Sequence, residues 1–300
     1  MSEPNENHQT FLDISTNPIQ NQLAEPEKSS LKQTLEEIKI IKDWDGQVLF
    51  LFGKQQIGKS SILGSLLHYM GTGNSGGQIK PMNIIPEGYA FYNKAIQAIS
   101  QQKLPTRTVS AKPISACIEF APSKSEFPPL RLVILEMSGE DLKEVQTPTG
   151  MMGDFREDIK LYLNEESLNI GFVLVTSHED AQVDDNLMAD FINYLLNYNQ
   201  NFEMNRILLL ISKWDQFRGT KEPEEFVKQS MPLTYGALVT RNGGLGTFSV
   251  GNVVTVDNQP HIAKLNTDAP KRLLRWVYKR FKGHDLYKLT WWQTFLSKIQ

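Results

Sequence analysis

The sequence holds a single cysteine, Cys117, in 300 residues. An intrachain disulfide is therefore excluded, as are a Cys-x-x-Cys redox pair and a multi-cysteine zinc site. No apolar run approaches the roughly 18–20 residues that a membrane-spanning helix requires. The opening residues Met1–Asn7 have neither the basic start nor the apolar core of a secretory signal. The expectation is a cytoplasmic protein without a transmembrane segment. Charge of one sign is scarce as well, because 31 Lys and Arg stand against 34 Asp and Glu, a formal net charge of −3. That balance gives no global attraction for nucleic acid or membrane, so a charged partner has to be met by a local patch. Internal repeats are also absent.

What is present suits one large α/β domain with extensions, since 40% of the residues are hydrophobic. Residues 1–30 are rich in Asn, Gln, Glu, Ser and Pro, and ordering them would cost more chain entropy than burial returns. They are expected to form a disordered tail. Ser30 is placed to cap a helix with Leu31, Leu35, Ile38 and Ile41 at helical spacing, followed by a turn at Asp43–Gly46. Residues 31–45 read as a brace packed on the domain, in preference to a partner-binding helix.

Apolar runs at 47–52, 114–120, 130–135, 170–176 and 206–211 show no alternation, as strands covered on both faces do. They predict a mostly parallel sheet with helices on each side, a three-layer α/β domain over residues 46–283. One helix is expected over about 87–101, and an amphipathic one over 284–300, where Leu286, Leu289, Trp292, Leu296 and Ile299 recur at helical spacing.

The first run feeds Gly53-Lys54-Gln55-Gln56-Ile57-Gly58-Lys59-Ser60, and the next residues carry Ile62, Leu63, Leu66 and Leu67 on one helical face. Strand, Gly-x-x-x-x-Gly-Lys-Ser and helix form a phosphate cradle, with backbone N–H groups turned inward and a helix N-terminus beneath the anion. Lys59 is expected to neutralise the β- and γ-phosphates, and Ser60 to ligate Mg²⁺. Gln56, Ile57 and Ser61 complete the set around the glycines Gly53 and Gly58. The long side chains of Gln55 and Gln56 would crowd an arginine inserted by a partner, which predicts weak dependence on one.

Leu132–Leu135 ends in Glu136-Met137-Ser138-Gly139-Glu140-Asp141. An acid at a buried strand tip beside the phosphate loop can hold Mg²⁺, the role read for Glu136; Gly139 could offer its N–H to the γ-phosphate and Glu140 could orient the attacking water. The alternative is a solvated acidic turn. Upstream, Thr108, and second to it Thr106, is the type of residue that closes over Mg²⁺ and γ-phosphate, unless both simply favour a strand. Arg107 could supply charge in cis.

The run ending at Ile211 leads into Ser212-Lys213-Trp214-Asp215. The Asp215 carboxylate could accept from guanine N1–H and the 2-amino group, which adenine does not present together, and the Lys213 stem could lie along the base. Thr247-Phe248-Ser249-Val250-Gly251 could bring the N–H of Val250 or Gly251 to guanine O6, or form an ordinary strand turn.

In order, GKQQIGKS, PTRT, EMSGED, SKWD and FSVG resemble the successive motifs of a translation-factor-related (TRAFAC) P-loop GTPase, and more narrowly the bacterial double-GTPase-like group. The resemblance covers about residues 46–283 and includes the closing stretch Lys271–Tyr278 before Gly283. It implies a Ras-like sheet and a place in bacterial conflict or regulatory systems. Glu136 replaces the usual Asp, Glu140 the common Gln and Ser212 the common Asn or Thr.

Lys271, Arg272, Arg275, Lys279, Arg280 and Lys282 are interleaved with apolar and aromatic residues. A helix with a solvated basic face is preferred there over nucleic-acid or anionic-lipid binding. The expected function is a Mg²⁺-dependent GTP/GDP switch with slow hydrolysis, controlling an unidentified protein partner through its switch segments or terminal helices. The alternatives are a GTP-bound scaffold with little turnover and, disfavoured by Asp215, an ATPase or small-molecule kinase.

Overall fold

A computed structural model describes residues 25–105, 114–137, 155–198, 206–239, 242–257 and 259–288. The first element is helix α1 (Glu25–Asp43). Ser30 lies inside it rather than capping it, and the Ser30 carbonyl accepts from Thr34 Oγ1 at 3.1 Å. The buried face of α1 is Thr34, Ile38 and Ile41, whereas Leu35, expected to pack, is 44% exposed.

Seven strands form one sheet in the order β2-β3-β4-β1-β5-β6-β7. They are β1 (Gln47–Phe52), β2 (Gly77–Pro81), β3 (Ile114–Pro122), β4 (Leu130–Glu136), β5 (Ile170–Ser177), β6 (Ile207–Ser212) and β7 (Gly244–Thr247). Strands β4, β1, β5, β6 and β7 run parallel, while β3 is antiparallel to both of its neighbours. All six residues of β1 are buried. Because side chains alternate along a strand, Val48, Phe50 and Phe52 enter one apolar cluster and Leu49 and Leu51 enter another.

The first cluster lies under α1, α4 (Glu157–Asn164), α5 (Ala181–Tyr198), α6 (Pro223–Ser230) and α7 (Pro232–Val239). Phe52 and Phe191 stack there with ring centroids 3.9 Å apart. The second lies under α2 (Lys59–Met70), α3 (Pro86–Ser100) and α8 (Asp268–Lys282). Helix, sheet and helix make the three-layer α/β fold with a mostly parallel sheet that the apolar runs predict.

Four strands were not legible in the apolar pattern. The edge strand β2 is only half buried, β7 is the short segment Gly-Leu-Gly-Thr, and β8 (Gly251–Val256) with β9 (Gln259–Leu265) forms a separate antiparallel hairpin. Edge and two-stranded elements bury little surface, so their sequences carry little of the signal that marks a central strand.

Part of the basic face of α8 is used internally. Arg275 Nε donates to Asp285 Oδ1 at 2.8 Å, and the Lys271 ammonium lies 5.1 Å from the Tyr287 ring centre. Residues 284–288 form a turn rather than the start of a helix, and Leu286 is buried against the second cluster. The remainder of the expected terminal helix, 289–300, lies outside the described residues. Among those described, no helix is long and apolar enough to cross a membrane.

Candidate functional site

Parallel strands deliver their C-terminal ends to one edge of the sheet, the place where open α/β folds hold ligands. Here that edge collects the loop after β1, the tip of β4, the end of β5 and the loop after β6.

The loop after β1 starts at Gly53, with φ 151°, where a β-carbon would stand 2.3 Å from the carbonyl oxygen of Val175 on the adjoining strand. Any other residue would push the loop off β5. Gln56 and Gly58 take φ 61° and 96°, and α2 then begins without a side-chain cap. Its first N–H groups therefore have no side-chain acceptor from the cap position, the arrangement that suits an anion. Lys59 is 6% exposed, and its Nζ donates to the carbonyls of Gly53 at 2.5 Å and Lys54 at 2.7 Å. The ammonium is thus held inside the turn, where low dielectric strengthens its pull on a negative group.

Ser60 and Glu136 meet across the edge, with Ser60 Oγ donating to Glu136 Oε1 at 2.8 Å. Glu136 is 4% exposed at the tip of β4, in register with Leu51 of β1. A hydroxyl and a carboxylate at this distance are oxygen donors of the kind Mg²⁺ takes when phosphate oxygens and water complete its shell. No group of three or more His, Cys, Asp or Glu that could hold a metal is found among the described residues. The Ser60 and Glu136 oxygens fit a cation whose shell is completed by a phosphate ligand and water.

The base-side residues come from two loops. Ser212, 3% exposed at the end of β6, donates through Oγ to the Ile57 carbonyl at 2.6 Å. Its hydroxyl is directed at the phosphate loop. Lys213 takes φ 52°, and its Nζ lies 3.7 Å from Glu179 Oε2. The Asp215 backbone N–H donates to Ser249 Oγ at 3.1 Å, and that of Trp214 to the Phe248 carbonyl at 3.4 Å, so the two loops brace each other. The Asp215 side chain is exposed. Gln56, Ile57, Gly58, Ser61, Ser212, Lys213, Asp215, Val250 and Gly251 all line one cleft of about 350 Å³. This lies within the roughly 300–1,000 Å³ of ordinary small-molecule sites. Thr106, Arg107, Thr108, Ser138, Gly139, Glu140 and Asp141 lie outside the described residues.

An ion pair with one buried member went unnoticed in the sequence. Lys54 Nζ lies 2.7 Å from Oδ1 of Asp184, which is fully buried at the start of α5, and Asp184 Oδ2 accepts from Thr176 Oγ1 at 2.6 Å. The three side chains fasten the phosphate loop to the end of β5. The available signal was the polar Thr176-Ser177 pair closing an otherwise apolar strand.

No family model and no curated protein matches the chain. Among solved structures, Toc33 from Arabidopsis thaliana in complex with GDP and Mg²⁺ is 14% identical, with 89% of this chain and 96% of that one covered at a TM-score of 0.45. A probable GTP-binding protein, engB, is 14% identical, with 80% and 100% covered at 0.39. The signal recognition particle receptor SRb-GTP/SRX complex from Chaetomium thermophilum is 14% identical, with 78% and 97% covered at 0.39.

Proposed function

We propose that the chain is a Mg²⁺-dependent GTP-binding switch that hydrolyses GTP slowly and controls a protein partner in a bacterial regulatory or conflict system. The observation that carries the reading is the 2.6 Å bond from Ser212 to Ile57, which joins the loop bearing Lys213 and Asp215 to the phosphate loop. A guanine base on Asp215 and phosphates on Lys59 are then held at a fixed separation.

In this reading the Gly53–Ser60 loop binds the phosphates, with Lys59 supplying charge and the start of α2 supplying N–H donors. Ser60 and Glu136 would hold Mg²⁺, which when bound offsets charge on the β- and γ-oxygens. Asp215 reads the guanine edge, the Lys213 stem flanks it, and Val250 or Gly251 offers a backbone N–H to O6. Glu140 orients the water that attacks the γ-phosphate, Gly139 donates to that phosphate, Thr108 closes over it and Arg107 adds positive charge. Gln55 and Gln56 crowd the side from which a partner's arginine would enter, so stimulation of hydrolysis does not depend on such an arginine.

Chromatography of nucleotide released from purified protein, followed by single-turnover hydrolysis with Mg²⁺, tests the reading. Guanine nucleotide and slow phosphate release are expected. Bound adenine nucleotide, or tighter ATP than GTP binding, would overturn the base assignment. Tight GTP binding with no phosphate released over hours would make the chain a GTP-bound scaffold instead.

A further inference from the structure

The cleft that holds Lys213 and Asp215 has a wall of residues to which the reading above gives no role. Leu104 follows α3, while Val253 and Pro260 come from the β8–β9 hairpin, and all three line the cleft. Val253 pairs with Ile262 and Thr255 with Pro260, so Val253 and Pro260 project from one face of the hairpin; Val254 and His261 project from the other.

Two features fix the hairpin in place. At its root, Gly251 has φ 145°, where a β-carbon would lie 2.0 Å from the Lys264 carbonyl oxygen. The Asn266 N–H there donates to the Val250 carbonyl at 2.9 Å. The loop expected to meet guanine O6 is therefore continuous with the hairpin and closed onto its far end. Along its side, the fully buried Ile262 donates its N–H to the Gln102 carbonyl at 2.7 Å, and His261 bridges to Lys103. The chain that carries Leu104 is thereby attached to the hairpin that carries Val253 and Pro260.

A purine has polar edges and two apolar faces, and the cleft offers both kinds of surface: a carboxylate and backbone groups on one set of loops, three apolar side chains on another. We infer that the β8–β9 hairpin is a base-clamping element, in which Val253 and Pro260 with Leu104 form an apolar wall against the base of the bound nucleotide. This deepens the nucleotide reading and rests on it. The wall contributes to affinity through the base alone and does nothing for the phosphates.

The test measures affinity of the full chain for a fluorescent GDP analogue, for GTP and, by competition, for inorganic tripolyphosphate. Val253→Asn and Leu104→Ala are each expected to weaken both nucleotides by about tenfold, as loss of one apolar contact predicts, and to leave tripolyphosphate unchanged. Val254→Asn, on the outer face at a position 39% exposed, leaves all three unchanged. Nucleotide affinity within twofold of the unaltered chain for both wall variants would overturn the clamp and leave the GTP reading intact. Equal weakening by Val253→Asn and Val254→Asn, or parallel loss of tripolyphosphate binding, would also overturn it by showing general damage. Failure of the unaltered chain to bind any guanine nucleotide would overturn both readings.

Discussion

Ser212 Oγ donates to the carbonyl oxygen of Ile57 at 2.6 Å, joining the end of β6 to the middle of the phosphate loop. Both groups are buried, so neither has water as a ready substitute. Ser212→Ala leaves a buried carbonyl without this donor, at a cost of about 1–3 kcal/mol. Affinity for GTP and GDP should fall by about tenfold together, while the preference for guanine over adenine nucleotides is retained, because Asp215 is untouched. Paired titrations with GTP and ATP check this; a lost preference with unchanged GTP affinity would mean that Ser212 acts on the base.

Ser60 and Glu136 share one hydrogen bond at the tip of β4. If they are the protein donors to Mg²⁺, Ser60→Ala and Glu136→Ala each abolish the gain in GTP affinity that Mg²⁺ gives. Binding would then be the same in millimolar Mg²⁺ and in EDTA, a loss of about tenfold or more for a ligand worth about 1.4 kcal/mol or more. Isothermal titration with and without chelator decides it, and an undiminished Mg²⁺ effect in both variants would place the cation elsewhere.

Asp184 is fully buried between Thr176 and Lys54. Asp184 is the buried member of the pair and the Lys54 side chain is 26% exposed, so losing one partner costs less than the roughly 3–5 kcal/mol of a fully buried ion pair. Asp184→Asn should lower the thermal midpoint by several degrees and weaken tripolyphosphate as well as GTP binding, since the loop itself loses its anchor. Lys54→Met keeps the stem and removes the charge, and combining the two should cost less than the sum. Strictly additive losses in a double-mutant cycle would show that the pair is not coupled.

Cys117 is 2% exposed, and burial, with a smaller contribution from nearby Glu37, pushes its thiol up to about 12. The folded value lies above the ordinary 9.0, so the neutral thiol favours the folded state fully below pH 9. That contribution fades as pH rises from 9 toward 12, because the unfolded chain ionises first. The native protein should resist thiol reagents up to pH 9 and take up one equivalent on denaturation. Cys117→Ser should show a shallower loss of stability between pH 9 and 11. Fast labelling of the native chain would place the thiol at the surface.

The central elements were legible because burial on both faces leaves an uninterrupted apolar string, as in Val48–Phe52 and Ile207–Ile211. The phosphate loop was legible because its glycines and lysine act through local backbone geometry, visible in the torsions of Gly53 and Gly58. The bond from Ser212 to Ile57 was not legible, because a sequence does not show which neighbouring loop a small donor faces. The Lys54–Asp184 pair and the hairpin wall escaped notice because their members are distant in the chain and none belongs to a periodic pattern.

By itself the sequence determined the alternation of strand and helix, the position of the loop at Gly53–Ser60 and the exclusion of an intrachain disulfide, all set by local torsion, periodicity or composition. Tertiary structure alone decided which residues share the cleft. Parallel strand order brings the ends of β1, β4, β5 and β6 to one edge, and the hairpin bond at Gln102 sets Leu104 beside Val253. Such meetings depend on how separate layers pack, and packing is a property of the assembled sheet and helices, not of any one segment.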